Sequence, residues 1–302
     1  MCRCLPSILF HVLLCYSVHS ASAEPAVDMQ AGGDFASTAG QMFAEVFGET
    51  ESERQLLDGI VVSKEEERQI GEASLQDLLT SFDQRKIRVL KQGKDVAYLK
   101  SLVAEIHPLM ANAKRYSAVR VYVVESTVTD ARAFPGGFMV CSTGMIDFAQ
   151  SEAALIGVLA HELSHIDRGH QMRTARSVRL AQGTWAFGNA DAMTRNGILL
   201  AKQFAHPFRS EDEAEADLDA AKWIFAIGYD PMEFAKLFRR LHERHLVDRS
   251  RMPSFLRSHP YHVERYEAVR QFSSRLQADK PDTKLYVGRK NLQRRIPRQD
   301  LL

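Results

Sequence analysis

The sequence predicts an α+β domain, predominantly helical, with a small β-sheet beside one central helix. Three observations lead there. Apolar residues recur at roughly helical spacing, as in Ile70, Leu75, Leu78, Leu79 and Phe82, the pattern of a helix with one buried face. Two short runs alone, 119–124 and 138–141, are rich in β-branched and aromatic residues in the manner of strands. Ser151-Glu152 then opens a long apolar segment that reaches His165, with serine placed as an N-cap and the acid in the first turn.

Taken in order, the first helix starts near Ser63, which stands three residues before Glu66 at capping-box spacing. Tyr98 to Met110 reads as the second. Val119 to Val124 is the first strand, Pro135-Gly136-Gly137 a turn, and Phe138-Met139-Val140-Cys141 the second strand, ended by Ser142-Thr143-Gly144. The central helix follows Ser151. A further helix covers about 211–227 and stops at Gly228. Asp230-Pro231 starts the next, with proline at the first helical position, and a last helix follows Pro260. The connection from Gln171 to Phe208 is a candidate lid over the cleft or, equally, a structural helix pair. No internal repeat is visible.

The 302 residues carry 39 Lys plus Arg against 38 Asp plus Glu. That balance gives no reason to expect nucleic-acid binding. Arg289, Lys290, Arg294, Arg295 and Arg298 cluster near the end and read as a solvated basic tail. At the start, Arg3, the apolar stretch Leu5 to Val18 and Ala21-Ser22-Ala23 have the order of a secretory signal. The organisation expected is therefore a signal peptide over 1–23, a linker or loosely packed arm over 24–62 and one domain over 63–302. Cleavage after Ala23 removes Cys2, Cys4 and Cys15 and leaves Cys141 as a lone thiol, so no internal disulfide supports the mature fold. The expected location is periplasmic or secreted. An uncleaved signal anchor is the alternative, and nothing after it has transmembrane length.

The chemistry concentrates at His161-Glu162-Leu163-Ser164-His165. Histidines four apart stand ~40° apart on a helical wheel, one turn apart on the same face. Both imidazoles can reach one zinc ion, and the glutamate between them can address a water molecule there. A catalytic zinc needs a third protein ligand, and Glu211-Asp212-Glu213-Ala214-Glu215-Ala216-Asp217 offers several carboxylates. Glu213 and Asp217 share a face, so one can ligate while the other orients a ligand histidine. His170, five residues past His165, falls off the ligand face in ideal register and reads as structural.

Together with Phe134-Pro135-Gly136-Gly137-Phe138, Thr143-Gly144, His170, Glu213, Ala216-Asp217, Gly228-Tyr229-Asp230-Pro231 and Ser258-His259-Pro260 with Arg265, this motif resembles the gluzincin peptidases of the HtpX and CAAX prenyl protease family, peptidase family forty-eight. It looks closest to the soluble periplasmic members. The similarity runs from about Ser63 to Arg265. It implies a zincin-like metallopeptidase domain that holds one zinc ion and hydrolyses peptide bonds in extracytoplasmic proteins, in a quality-control role. It implies His161, His165 and Glu213 as metal ligands, Asp217 as the acid behind them, Glu162 as general base and His259 as an oxyanion donor. Phe138 to Cys141 is implied to be a strand bordering the cleft, and is expected to act as an edge that grips extended substrates. Protein or peptide substrates are the expected partners, without nucleic acid; peripheral membrane contact stays compatible. The rival reading is a zinc-binding envelope assembly factor or chaperone with latent peptidase activity, in which His259 caps the metal. One departure is that Arg209-Ser210 stands where the family commonly has Ser-Arg.

Overall fold

In the computed structural model the described residues are 56–57, 59–173, 175–176, 208–247, 255, 259 and 263–301. The chain divides into two units at Glu53, and everything below belongs to Arg54–Leu302. The expected signal peptide, most of the expected arm, and 177–207 of the candidate lid lie outside the described residues.

Helix α1, Lys64–Gln84, begins on a reciprocal cap: Ser63 Oγ accepts from the Glu66 N–H at 3.1 Å, and Glu66 Oε2 accepts from the Ser63 N–H at 2.8 Å. Helix α2, Lys94–Ile106, starts earlier than Tyr98 and runs into a 3₁₀ turn over His107–Leu109. Among the described residues four strands form one mixed sheet: β1 (Val89–Leu90), β2 (Arg120–Val124), β3 (Ala131–Phe134) and β4 (Phe138–Ser142), in the order β1-β2-β4-β3. β2 and β4 run parallel, while β1–β2 and β3–β4 are antiparallel. β1 is too short to show a period, and the alanines of β3 are poor strand formers, so neither was legible as a strand.

The edge role expected for Phe138 to Cys141 is corrected by this order. β4 lies inside the sheet, between β2 and β3, with all five of its residues buried. Its side chains are divided between two layers: Met139 and Cys141 enter the main core, and Phe138 and Val140 face α1. A strand apolar on both faces is what an interior position requires. The edge on this side is β3. The Pro135–Gly137 turn joins it to β4, with Gly136 at φ +75° and Gly137 at φ +83°, a left-handed backbone that suits glycine.

Ser142 then caps α3, Thr143–Phe148, accepting from the Met145 N–H at 3.0 Å. Helix α4, Glu152–Arg168, is capped by Ser151 and ends at Gly169 in the left-handed conformation. Every residue from Glu152 to Asp167 is buried, so α4 is the axis of the domain. Helices α5 (Ser210–Ala226) and α6 (Pro231–Val247) pack on it together with α2 and β3, and α7 (Val263–Asp279) packs on α5 and α6. Gly157 lets α6 approach: a Cβ there would sit 2.6 Å from Phe234 Cβ.

The basic residues near the end are not a free tail. Arg289–Arg294 form α8. Arg295 pairs with Asp95 at 2.7 Å and with Asp147. Arg298 donates to Ile227 O and Gly228 O, both at 3.2 Å, and lies over the Tyr229 and Tyr286 rings. These partners come from distant parts of the chain, so composition alone could not reveal them.

Candidate metal centre

Helix α4 supplies two imidazoles one turn apart. His161 Nε2 and His165 Nε2 stand 3.1 Å from each other. Helix α5 crosses α4 with Glu213 in its first turn. Glu213 Oε2 lies 3.6 Å from His161 Nε2 and Oε1 lies 3.4 Å from His165 Nε2. His259, just before α7, places Nδ1 3.2 Å from His161 Nε2 and 2.9 Å from Glu213 Oε1. These four side chains bring one ligand atom each within 4.8 Å of one another, and all are buried.

The outer ring is equally specific. Asp217, one turn after Glu213, has Oδ1 3.0 Å from His161 Nδ1. His170 Nδ1 lies 2.9 Å from His165 Nδ1. With His165 Nε2 facing the centre, its proton belongs on Nδ1 and His170 accepts it, a tautomer assigned from the network. Ideal helical register misplaces His170 because the helix does not continue. Gly169 at φ +65° turns the chain back, and the His170 N–H bonds to His165 O at 3.1 Å. A glycine immediately before that histidine was the available signal. Burial lowers the His165 pKa to about 3 and that of His170 to about 4, keeping both rings neutral.

Arg265 of α7 completes the ring. Its Nε and Nη2 donate to Asp217 at 2.7 and 2.8 Å, its Nη1 reaches Glu213 Oε2, and its guanidinium lies over the Phe238 ring at 4.7 Å. Burial pushes both carboxyls upward, but Arg265 pulls both down, joined at Glu213 by His259 and His165, so Asp217 sits below its ordinary value and Glu213 well below. Arg209, at the position where the family pattern differs, instead holds Asp212 at 2.9 Å.

Glu162 faces the same centre from α4. Its Oε2 accepts the Ala133 N–H of β3 at 2.7 Å, and its Oε1 lies 3.1 Å from His259 Nε2. Burial raises this carboxyl, yet the neighbouring His259 brings it below its usual value. His259 shows the reverse. Burial would lower it, but Glu213 and Glu162 push it up to about 10. Phe208 stacks on His165 at 3.9 Å and Phe255 on His259 at 4.6 Å, giving the centre apolar walls.

The donor set fits a divalent ion. Imidazole nitrogens with a carboxylate oxygen are the ligands zinc takes. The charges point the same way: Glu162, Glu213 and Asp217 bury three negative charges, Arg265 and a protonated His259 offset two, and the negative charge left over favours a further cation at the centre.

A mostly helical α+β domain whose central helix carries this cluster defines a zinc-site protein of the metallopeptidase type. The sequence pattern of peptidase family M48 matches residues 95–273, and the chain belongs to that family. Among characterised proteins it is similar to the beta-barrel assembly-enhancing protease of Yersinia pestis, 28% identical over 182 residues, which is 56% of this chain and 37% of that protein. The protein of the same name from Escherichia coli K12 is 26% identical over 168 residues, 51% of this chain and 34% of the relative. A putative beta-barrel assembly-enhancing protease of Vibrio cholerae is 26% identical over 179 residues, 55% and 37% of the two chains. The chain thus matches little more than a third of the length of these relatives.

Proposed function

We propose that the chain is a zinc-dependent endopeptidase acting on proteins outside the cytoplasm, with His161, His165 and Glu213 as metal ligands and Glu162 as general base. The observation that carries the reading is Glu162: a buried carboxylate set beside the ligand cluster, where a structural zinc has no use for one. When bound, zinc acidifies water and polarises a carbonyl. Glu162 then takes a proton and returns it to the departing amine, while Asp217 and His170 hold the ligand rings in the tautomers that present Nε2. Family membership and the relatives' names support the reading. Within the family we place the chain beside the periplasmic members rather than the membrane-embedded HtpX and CAAX prenyl protease branch. Among the described residues no helix is long and apolar enough to cross a membrane. Export with cleavage near Glu24 is part of the same proposal. Metal analysis tests the centre: the purified chain should hold one zinc, and Glu213→Ala should lose most of it. Unchanged content and affinity in that variant would remove Glu213 from the site.

A second reading rests on His259. Its Nδ1 lies among the ligand atoms, not at a distance from them. Four protein ligands close a zinc site, so the resting protein would be latent and substrate would have to displace His259. On this reading His259→Ala keeps zinc and cleaves casein faster than the parent chain. A fall of about 10²–10³-fold would instead make His259 the oxyanion donor.

Substrate alignment is assigned to β3 rather than β4. The Ala133 N–H points out of the sheet, toward Glu162, and alternation gives Ala131 the same outward side. A backbone edge there suits a peptide added as a further strand. Ala131→Pro removes one outward donor and should lower cleavage of extended peptides about threefold to tenfold while the fold and zinc persist. Arg132→Pro removes an inward donor and should damage the sheet. Normal kcat/KM in a folded, zinc-loaded Ala131→Pro chain would reject the assignment.

A further inference from the structure

At the opposite end of the sheet β1 covers only part of β2. Its two residues pair with Val123 and Val124, and among the described residues no further strand lies on that side. The Arg120 N–H donates to Gly137 O at 2.8 Å, on the β4 side. Alternation therefore turns the backbone groups of Val121, and of Val119 before it, toward the open side. A groove of about 850 Å³ lies along this edge, with Leu79 of α1 on one wall and Val96 and Val103 of α2 on the other. That volume lies within the ~300–1,000 Å³ of ligand sites. Among the described residues its charged lining side chains are Lys91, Lys100 and Arg120, with no acidic side chain joining them. Arg120 is already engaged, 3.3 Å from Glu72 and over the Phe138 ring at 4.0 Å, so the two exposed lysines supply the charge that a ligand would meet.

We propose that this open edge is a second peptide site, remote from the metal centre, which takes an extended acidic peptide as an added strand beside β2. The backbone of Val119 and Val121 provides the strand bonds, the α1 and α2 walls receive alternate side chains, and Lys91 and Lys100 select for carboxylates. Strand edges with flanking walls bind peptides in this way, and an uncovered edge is otherwise a liability for a soluble domain. The site does not depend on the peptidase reading, because it shares no residue with the metal cluster.

The test uses the full chain carrying Glu162→Gln, so that the probe is not consumed. The probe is a short fluorescein-labelled peptide of alternating valine and glutamate, followed by anisotropy, with a valine–lysine peptide as control. Saturable binding is expected, at least tenfold weaker for the lysine peptide and at least tenfold weaker when Lys91→Glu and Lys100→Glu are added. Amide exchange at Val119 and Val121 should slow on binding. Both lysines are exposed, so their replacement leaves the fold intact, as circular dichroism checks. Absence of saturation, equal affinity for the two peptides, or unchanged affinity in the lysine variant would overturn the proposal. So would amides of Val119 and Val121 already protected without peptide, since a segment of the chain itself would then occupy the edge.

Discussion

Glu162→Gln should keep zinc, fold and thermal stability while kcat/KM for casein or a quenched peptide falls by about 10²–10⁴-fold, the usual worth of a positioned general base. The amide matches the carboxylate in size. Its oxygen can still accept the Ala133 N–H, the bond that fixes the buried group against β3. What it cannot do is take a proton. The reading requires a loss of rate with no loss of metal, and the two are measured separately by turnover and by zinc content. Cleavage at the parental rate by the variant would end the proposed mechanism.

Arg265→Met should cost about 3–5 kcal/mol, the range for breaking a buried ion pair by removing one partner. At roughly 2–4 °C per kcal/mol for a domain of this size, Tm should fall by about 6–20 °C. The reason is that Asp217 and Glu213 remain buried when their cation is gone. Zinc affinity should fall as well, because Asp217 no longer has a fixed position from which to orient His161. The pH dependence has a definite sign. In the parent, Arg265 holds both carboxyls below their ordinary values. Their contribution is therefore present above the unfolded carboxylate pKa values near ~4 and is lost as pH drops through the folded ones. In the variant burial is less opposed and the folded pKa values rise. The Tm gap between the two chains, measured in chelator, should narrow on acidification from neutral pH. A variant of parental Tm and zinc affinity would show that Arg265 is dispensable.

The sequence by itself determined the chemistry that is local. Ser63 with Glu66, Ser151 before the central helix, Gly228 and Asp230-Pro231 mark helix ends through bonds between near neighbours, and the structure has those ends at or within a residue or two of the places read. His161 and His165 share a face because 3.6 residues make a turn, and Glu213 and Asp217 share theirs for the same reason. The family resemblance then joined the two pairs.

What only the tertiary structure decided is how separate segments meet. β4 became an interior strand because β3, too alanine-rich to be legible, took the edge and brought the Ala133 N–H to Glu162. His170 returned to His165 because Gly169 reversed the chain. Arg265 found its role only when α7 packed beside α5 and placed a cation against Asp217 and Glu213. His259 entered the ligand cluster from outside α4 and α5. Hydrogen bonds within one turn follow from spacing and can be read along the chain. Burial, sheet order and the balance of buried charge depend on residues tens of positions apart, and those distances are set by packing.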